Sequence, residues 1–118
     1  MDFLNRIELR GIVGKAEVNT VNGSRVCNFS VVTDYSSRDN EGNPSVESTW
    51  FNVALWEGRG GPLDLYTIQK GSWIQVLGRL RTRKYLNQNQ EERTSLDVLA
   101  RSVKLLPRDD DPMQPQRD

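Results

Sequence analysis

The stretch Ser48-Thr49-Trp50-Phe51-Asn52-Val53-Ala54-Leu55-Trp56 limits the fold more than any other part of this chain. It is rich in β-branched and aromatic residues and alternates with a period of two, which predicts a β-strand. Phe51, Val53 and Leu55 share one face, and Trp50, Asn52, Ala54 and Trp56 share the other. Side chains on a strand point alternately to opposite faces, so an aliphatic face packed in a core leaves both indoles pointing away from it. At ~3.3 Å per residue the two rings stand roughly 20 Å apart. That spacing suits stacking of separate bases of one extended polynucleotide strand. A strand buried on both faces, or a protein contact, would use the same residues.

Residue types remove several classes of chemistry. The chain has 118 residues, enough for one domain with a real core. It has no histidine, so Ser-His and Cys-His relays and the two-histidine zinc motifs are excluded. Its one cysteine, Cys27, cannot form an internal disulfide and falls in an alternating strand pattern, where a small buried core residue is expected. Nothing points to a catalytic residue, a metal site or a cofactor. No apolar run approaches membrane-spanning length, and Met1–Arg10 carries charges in place of a secretory signal, so a cytoplasmic location is expected.

Net charge is zero, but its distribution is uneven. Between Leu65 and Gln90 lie Lys70, Arg79, Arg81, Arg83 and Lys84, with no Asp or Glu. Pro107–Asp118 instead holds Asp109, Asp110, Asp111 and Asp118 against Arg108 and Arg117. A basic segment and an acidic end are averaged into neutrality.

The remaining strands read from the same periodicity. Phe3–Val18 predicts a first strand interrupted by Gly11 and Gly14, which suit bulges or a sharp bend. Asn22-Gly23 is a hairpin turn, since both residues tolerate positive φ. A second strand runs from about Arg25 to Tyr35 with Cys27, Phe29 and Val31 inward, and Ser36–Pro44 reads as a long exposed loop. After the third strand, Pro62–Gln69 offers a helix of about two turns, ended by Lys70-Gly71.

The fourth strand, Ser72 to about Leu86, puts Ile74, Val76, Gly78 and Leu80 inward. Trp73, Gln75, Leu77, Arg79, Arg81, Arg83 and Tyr85 face outward. Alternating arginines ending in a tyrosine suit phosphates and a stacked base, whereas a solvated edge strand would normally mix charge signs. The fifth strand, Glu92–Leu106, has Leu96, Val98 and Ala100 on one face and resumes at Val103 and Leu105 after a bulge. Residues 107–118 have no periodicity and read as a disordered acidic tail.

Five strands with a helix between the third and fourth is the element order of an OB-fold, a five-stranded Greek-key barrel, all-β apart from that helix. Residues 1–106 form that domain and 107–118 the tail.

Several motifs, in order, carry a resemblance to bacterial single-stranded DNA-binding proteins: Leu4–Gly11, Asn28–Val31, Thr49–Trp56, Lys70–Ile74 and, most specifically, Gly78-Arg79-Leu80-Arg81-Thr82-Arg83-Lys84-Tyr85. The similarity spans about Phe3–Leu106. It implies sequence-independent binding of single-stranded DNA in replication, recombination and repair. Trp50, Trp56 and Tyr85 match the family's stacking aromatics. A further aromatic position falls near Ser37, where Tyr35 is the nearest substitute. Arg81, Arg83, Lys84 and Lys70 match phosphate contacts.

The resemblance also implies a homotetramer built from two dimers, with Trp73, Gln75 and Leu77 at the second contact and Phe51 in core or dimer packing. Family tails end in a hydrophobic residue that recruits partner enzymes. This chain ends in Asp118, so tip-mediated recruitment is not carried over. A replication-restart adaptor on the same fold, acting through protein contacts, is the alternative, and a role on RNA stays open.

Overall fold

The computed structural model describes residues 2–59 and 63–107. Its strands are β1 (Ile7–Val21), β2 (Ser24–Arg38), β3 (Pro44–Trp56), β4 (Trp73–Leu86) and β5 (Glu92–Leu106). They close into a barrel in the order β1-β2-β3-β5-β4. This is the Greek-key barrel of the OB-fold expected from the element order. Four of the pairings are antiparallel. The fifth is a short parallel ladder, Val53 with Val98 and Ala54 with Leu99, which seals β3 to β5.

The expected inward faces build the core. Cys27, Phe29 and Val31 of β2, Val53 and Leu55 of β3, Ile74 and Val76 of β4, and Val98, Ala100 and Val103 of β5 are all buried. Each large aliphatic side chain so placed contributes about 1.5–3 kcal/mol of transfer free energy. Burial pushes the Cys27 thiol up from its ordinary value, which keeps it a neutral core residue.

β1 serves two neighbours, pairing with β4 over Ile7–Ile12 and with β2 over Ile12–Val21. A bulge between Val13 and Lys15 accompanies the change. The turn to β2 is Asn22-Gly23 with φ of 51° and 83°, as its residue types require.

Four expectations change. β1 begins at Ile7, and Phe3 stands exposed outside it. The supposed loop at Ser36–Pro44 is mostly ladder: β2 and β3 stay paired out to Arg38 with Pro44. A tight turn remains, in which the Asp39 carboxylate accepts from the backbone N–H groups of Glu41 and Asn43 at 2.9 Å each. The two-turn helix is a single 3-10 turn, Leu65–Thr67, capped by the Asp64 carboxylate, which accepts from Tyr66 N at 2.9 Å. Only Leu65 and Ile68 are buried there, and a spacing of three residues is met by one 3-10 turn. Pro62, expected to open the helix, lies outside the described residues, as does the tail beyond Pro107. Finally, Leu96 is 60% exposed, because β4 and β5 remain paired beyond the barrel as a free-standing arm.

Candidate functional site

The outer face of β3 carries Trp50, Asn52, Ala54 and Trp56 in line, as strand alternation requires. Two grooves lie end to end along it. The first has a cavity of about 630 Å³. Its floor is the outer face of β1–β3, including Asn28, Ser30 and Asn52, and its wall is the β4–β5 arm with Arg81, Arg83 and Asp97. The second, of about 710 Å³, contains Trp56 and Arg79. The two meet at the Ala54–Leu99 end of the parallel seam.

Trp50 is 59% exposed, on a part of β3 that pairs only with β2. Its indole crosses β2, whose Val32 is its register partner, and lies over Gly14 in the β1 bulge. A Cβ on Gly14 would run into the ring, meeting Trp50 Cη2 and Ser30 Oγ at 2.8 Å each. The missing side chain of Gly14 therefore gives the indole a flat bed and leaves one ring face to solvent. The bulge expected at this glycine is present; its use as a ring bed was not legible, because the contact crosses two strands.

The arm's electrostatics differ from those expected. The basic run contains no carboxylate in sequence, but β5 supplies carboxylates across the ladder. Arg83 Nε lies 3.2 Å from Asp97 Oδ2, and Lys84 Nζ lies 3.4 Å from Glu92 Oε1. Asp97 is only 5% exposed. Its other oxygen, Oδ1, and Arg81 Nε are buried with no hydrogen-bond partner among the described residues. An unpaired buried polar group costs about 1–3 kcal/mol, so the groove wall holds polarity that the barrel alone does not use.

The other expected residues fall as follows. Tyr85 and Lys84 stand on the exposed β4–β5 arm. Tyr35, 68% exposed, pairs with Glu47 on the β2–β3 arm. It is three residues from Val32, so strand parity puts it on the face opposite Trp50. Lys70 lies beyond the 3-10 turn, beside Lys15, which also lines the first groove. Lys15, Asn28 and Ser30 are additions to the expected set. All three fall on outward positions of strands, and only their closeness to the arm marks them.

Trp73, Gln75 and Leu77 are half-buried on the outward side of β4. The Gln75 side-chain oxygen accepts from Arg10 Nη2 at 2.9 Å. Phe51 is half-buried against the core. The described residues contain no cluster of three or more groups able to hold a metal ion, and no helix long and apolar enough to cross a membrane.

Comparison with known proteins is consistent with this arrangement. Residues 4–106 match the model of the single-strand binding protein family. A protein of Neisseria meningitidis serogroup A named single-stranded DNA-binding protein is 33% identical over 105 residues, covering 87% of this chain and 60% of its own length. A protein of the same name from Xanthomonas campestris is 30% identical, with coverage of 87% and 60%. The chain thus spans about 60% of the length of these relatives. In fold it is similar to the Plasmodium falciparum SSB solved in complex with ssDNA, with TM-score 0.74 and 23% identity over 91% of this chain and 98% of the other. It is also similar to the Thermus aquaticus single-stranded DNA binding protein, with TM-score 0.70 and 20% identity over 88% and 51%.

Proposed function

The chain belongs to the single-strand binding protein family, and on that footing we propose that it binds single-stranded DNA without regard to base sequence. The observation that carries this reading is the exposed indole of Trp50, bedded on Gly14 beside Ser30, which lines the groove walled by Arg81 and Arg83. Every base has a π-face, so stacking on Trp50, Trp56 and Tyr85 tolerates any sequence. Arg81, Arg83, Lys84 and Lys70 supply phosphate contacts, which release counterions from the strand. The task needs no catalytic step and no cofactor.

The same reading places the protein in bacterial cytoplasm, protecting exposed strands during replication, recombination and repair. Residues 1–106 form the binding unit. A homotetramer, two dimers joined through Trp73, Gln75 and Leu77, gives those half-buried outward side chains a partner surface. The adaptor alternative leaves the bedded indole and the polar groove wall without a use.

The test is an anisotropy titration of labelled oligo-dT over a range of salt. Binding that weakens linearly in log salt, by about 0.7 per phosphate contact, is expected. No binding at low salt would overturn the reading in favour of a protein adaptor.

A further inference from the structure

We infer that the second groove, at Trp56, is a separate phosphate track of the same DNA-binding surface, built by a bulge in β5 that turns Arg101 into it. The inference rests on the single-strand reading above and extends it to Arg59 and Arg101, which lie outside the motifs of the chain.

Beyond the parallel seam, β3 contributes Trp56 to this groove, β4 contributes Leu77 and Arg79, and β5 contributes Leu99 and Arg101. Arg101 owes its place to an irregularity in pairing. Leu77 of β4 faces Ser102, but the next residue, Gly78, faces Ala100, so Arg101 is the extra residue of the ladder. A bulge of this kind bends its strand and re-aims a side chain. The fit around it is tight: a Cβ on Gly78 would meet the Leu99 carbonyl oxygen and come within 3.0 Å of Ala100 Cα. Gly78 therefore allows the close approach that accompanies the bulge. Asn5 closes the rim by pairing its side-chain amide with the Leu80 backbone, accepting from Leu80 N at 2.9 Å and donating to Leu80 O at 2.6 Å.

The charge of this groove is less compensated than that of the first. Arg59, Arg79 and Arg101 line it, and none has an ion-pair partner among the described residues. Its one carboxylate, Glu57, is engaged by Arg25, whose guanidinium holds the Glu57 carboxyl below its ordinary value. Arg25 also lies over the Tyr66 ring, 5.8 Å from its centre. Four arginines, Arg6 (paired with Glu8) and the three without partners, around one half-buried indole match a polyanion that carries flat rings, which is a polynucleotide. A strand leaving Trp50 along the first groove reaches them by crossing the Ala54–Leu99 seam.

The test compares oligo-dT of about 16 nucleotides, the upper end of what one OB-fold covers, on the wild type, Arg101→Ala, Arg101→Lys and Arg83→Ala. Arg101→Ala is expected to weaken binding at low salt and to flatten the log K against log salt slope by about 0.7, as for one lost phosphate contact. Arg101→Lys should restore the slope, and Arg101→Ala with Arg83→Ala should flatten it by the sum of the two. Melting temperature and assembly mass should match the wild type.

A wild-type slope in Arg101→Ala, with a flattened one in Arg83→Ala, overturns the second track and leaves the single-strand reading standing. No binding by the wild type removes both. A changed assembly mass in Arg101→Ala overturns the inference by making the groove a subunit contact. Loss of poly-glutamate binding in Arg101→Ala with intact oligo-dT binding overturns it by assigning the groove to an acidic protein.

Discussion

Trp50 owes its exposure to a residue far from it in sequence. The ring rests on Gly14, two strands away, and its outer face is free. Trp50→Ala is therefore expected to cost about 1–3 kcal/mol of binding, the range found for one stacked base, with no new sequence preference. Titration with oligo-dT and oligo-dA checks both parts. Gly14→Ala should weaken binding in the same direction by lifting the ring from its bed. In a Trp50→Ala background the Gly14 change should cost almost nothing, since contacting residues are not additive. Equal losses in both backgrounds would mean that Gly14 acts on the barrel and not through the indole.

At the scale of elements, the two arms carry most of what sequence reading could not reach. The strands themselves were legible because Phe29, Val31, Val53, Leu55, Ile74 and Val76 alternate with polar positions and are buried as that pattern demands. The β2–β3 arm was not, because Ser36–Arg38 and Pro44–Val46 are polar and turn-rich, and only their pairing makes them strand. The charge of the β4–β5 arm was misread for a related reason. Arg83 and Asp97 are fourteen positions apart in sequence and neighbours across the ladder. The bulge in β5 was visible in the resumption of the apolar pattern at Val103, but the residue it displaces was not read from it.

One prediction belongs to the β4–β5 arm. Asp97 places a buried carboxylate in the groove proposed to hold phosphates and pairs with Arg83. Asp97→Asn should tighten oligo-dT binding at low salt and leave high-salt affinity nearly unchanged, because repulsion between charges is screened by salt. Weaker binding at every salt concentration would show that the carboxylate's main service is to hold Arg83 in place.

For the whole molecule, the closed barrel gives a rigid body with one long outer surface. The seam between β3 and β5 divides that surface into two grooves, and the row Trp50–Trp56 runs along both. Towards the start of β4, Trp73, Gln75 and Leu77 remain half-buried and fit a contact between copies, with Leu77 at the edge of the second groove. Trp73→Ala should shift the assembly from tetramer towards dimer, as read by sedimentation, while one barrel keeps its affinity for a short oligo-dT. An unchanged mass would move the second contact elsewhere. The barrel and the Trp50 row were legible in the sequence because both follow from alternation. The two-groove surface was not, since it arises only when β5 closes against β3.

The central claim is that indoles on the outer face of β3 stack on the bases of a single strand. Intrinsic tryptophan fluorescence during titration with oligo-dT tests it most directly. Deep quenching at low salt, reversed as salt rises and much reduced in Trp50→Ala, is the predicted result. Binding by anisotropy with no change in fluorescence would contradict it, leaving a surface that holds phosphates alone.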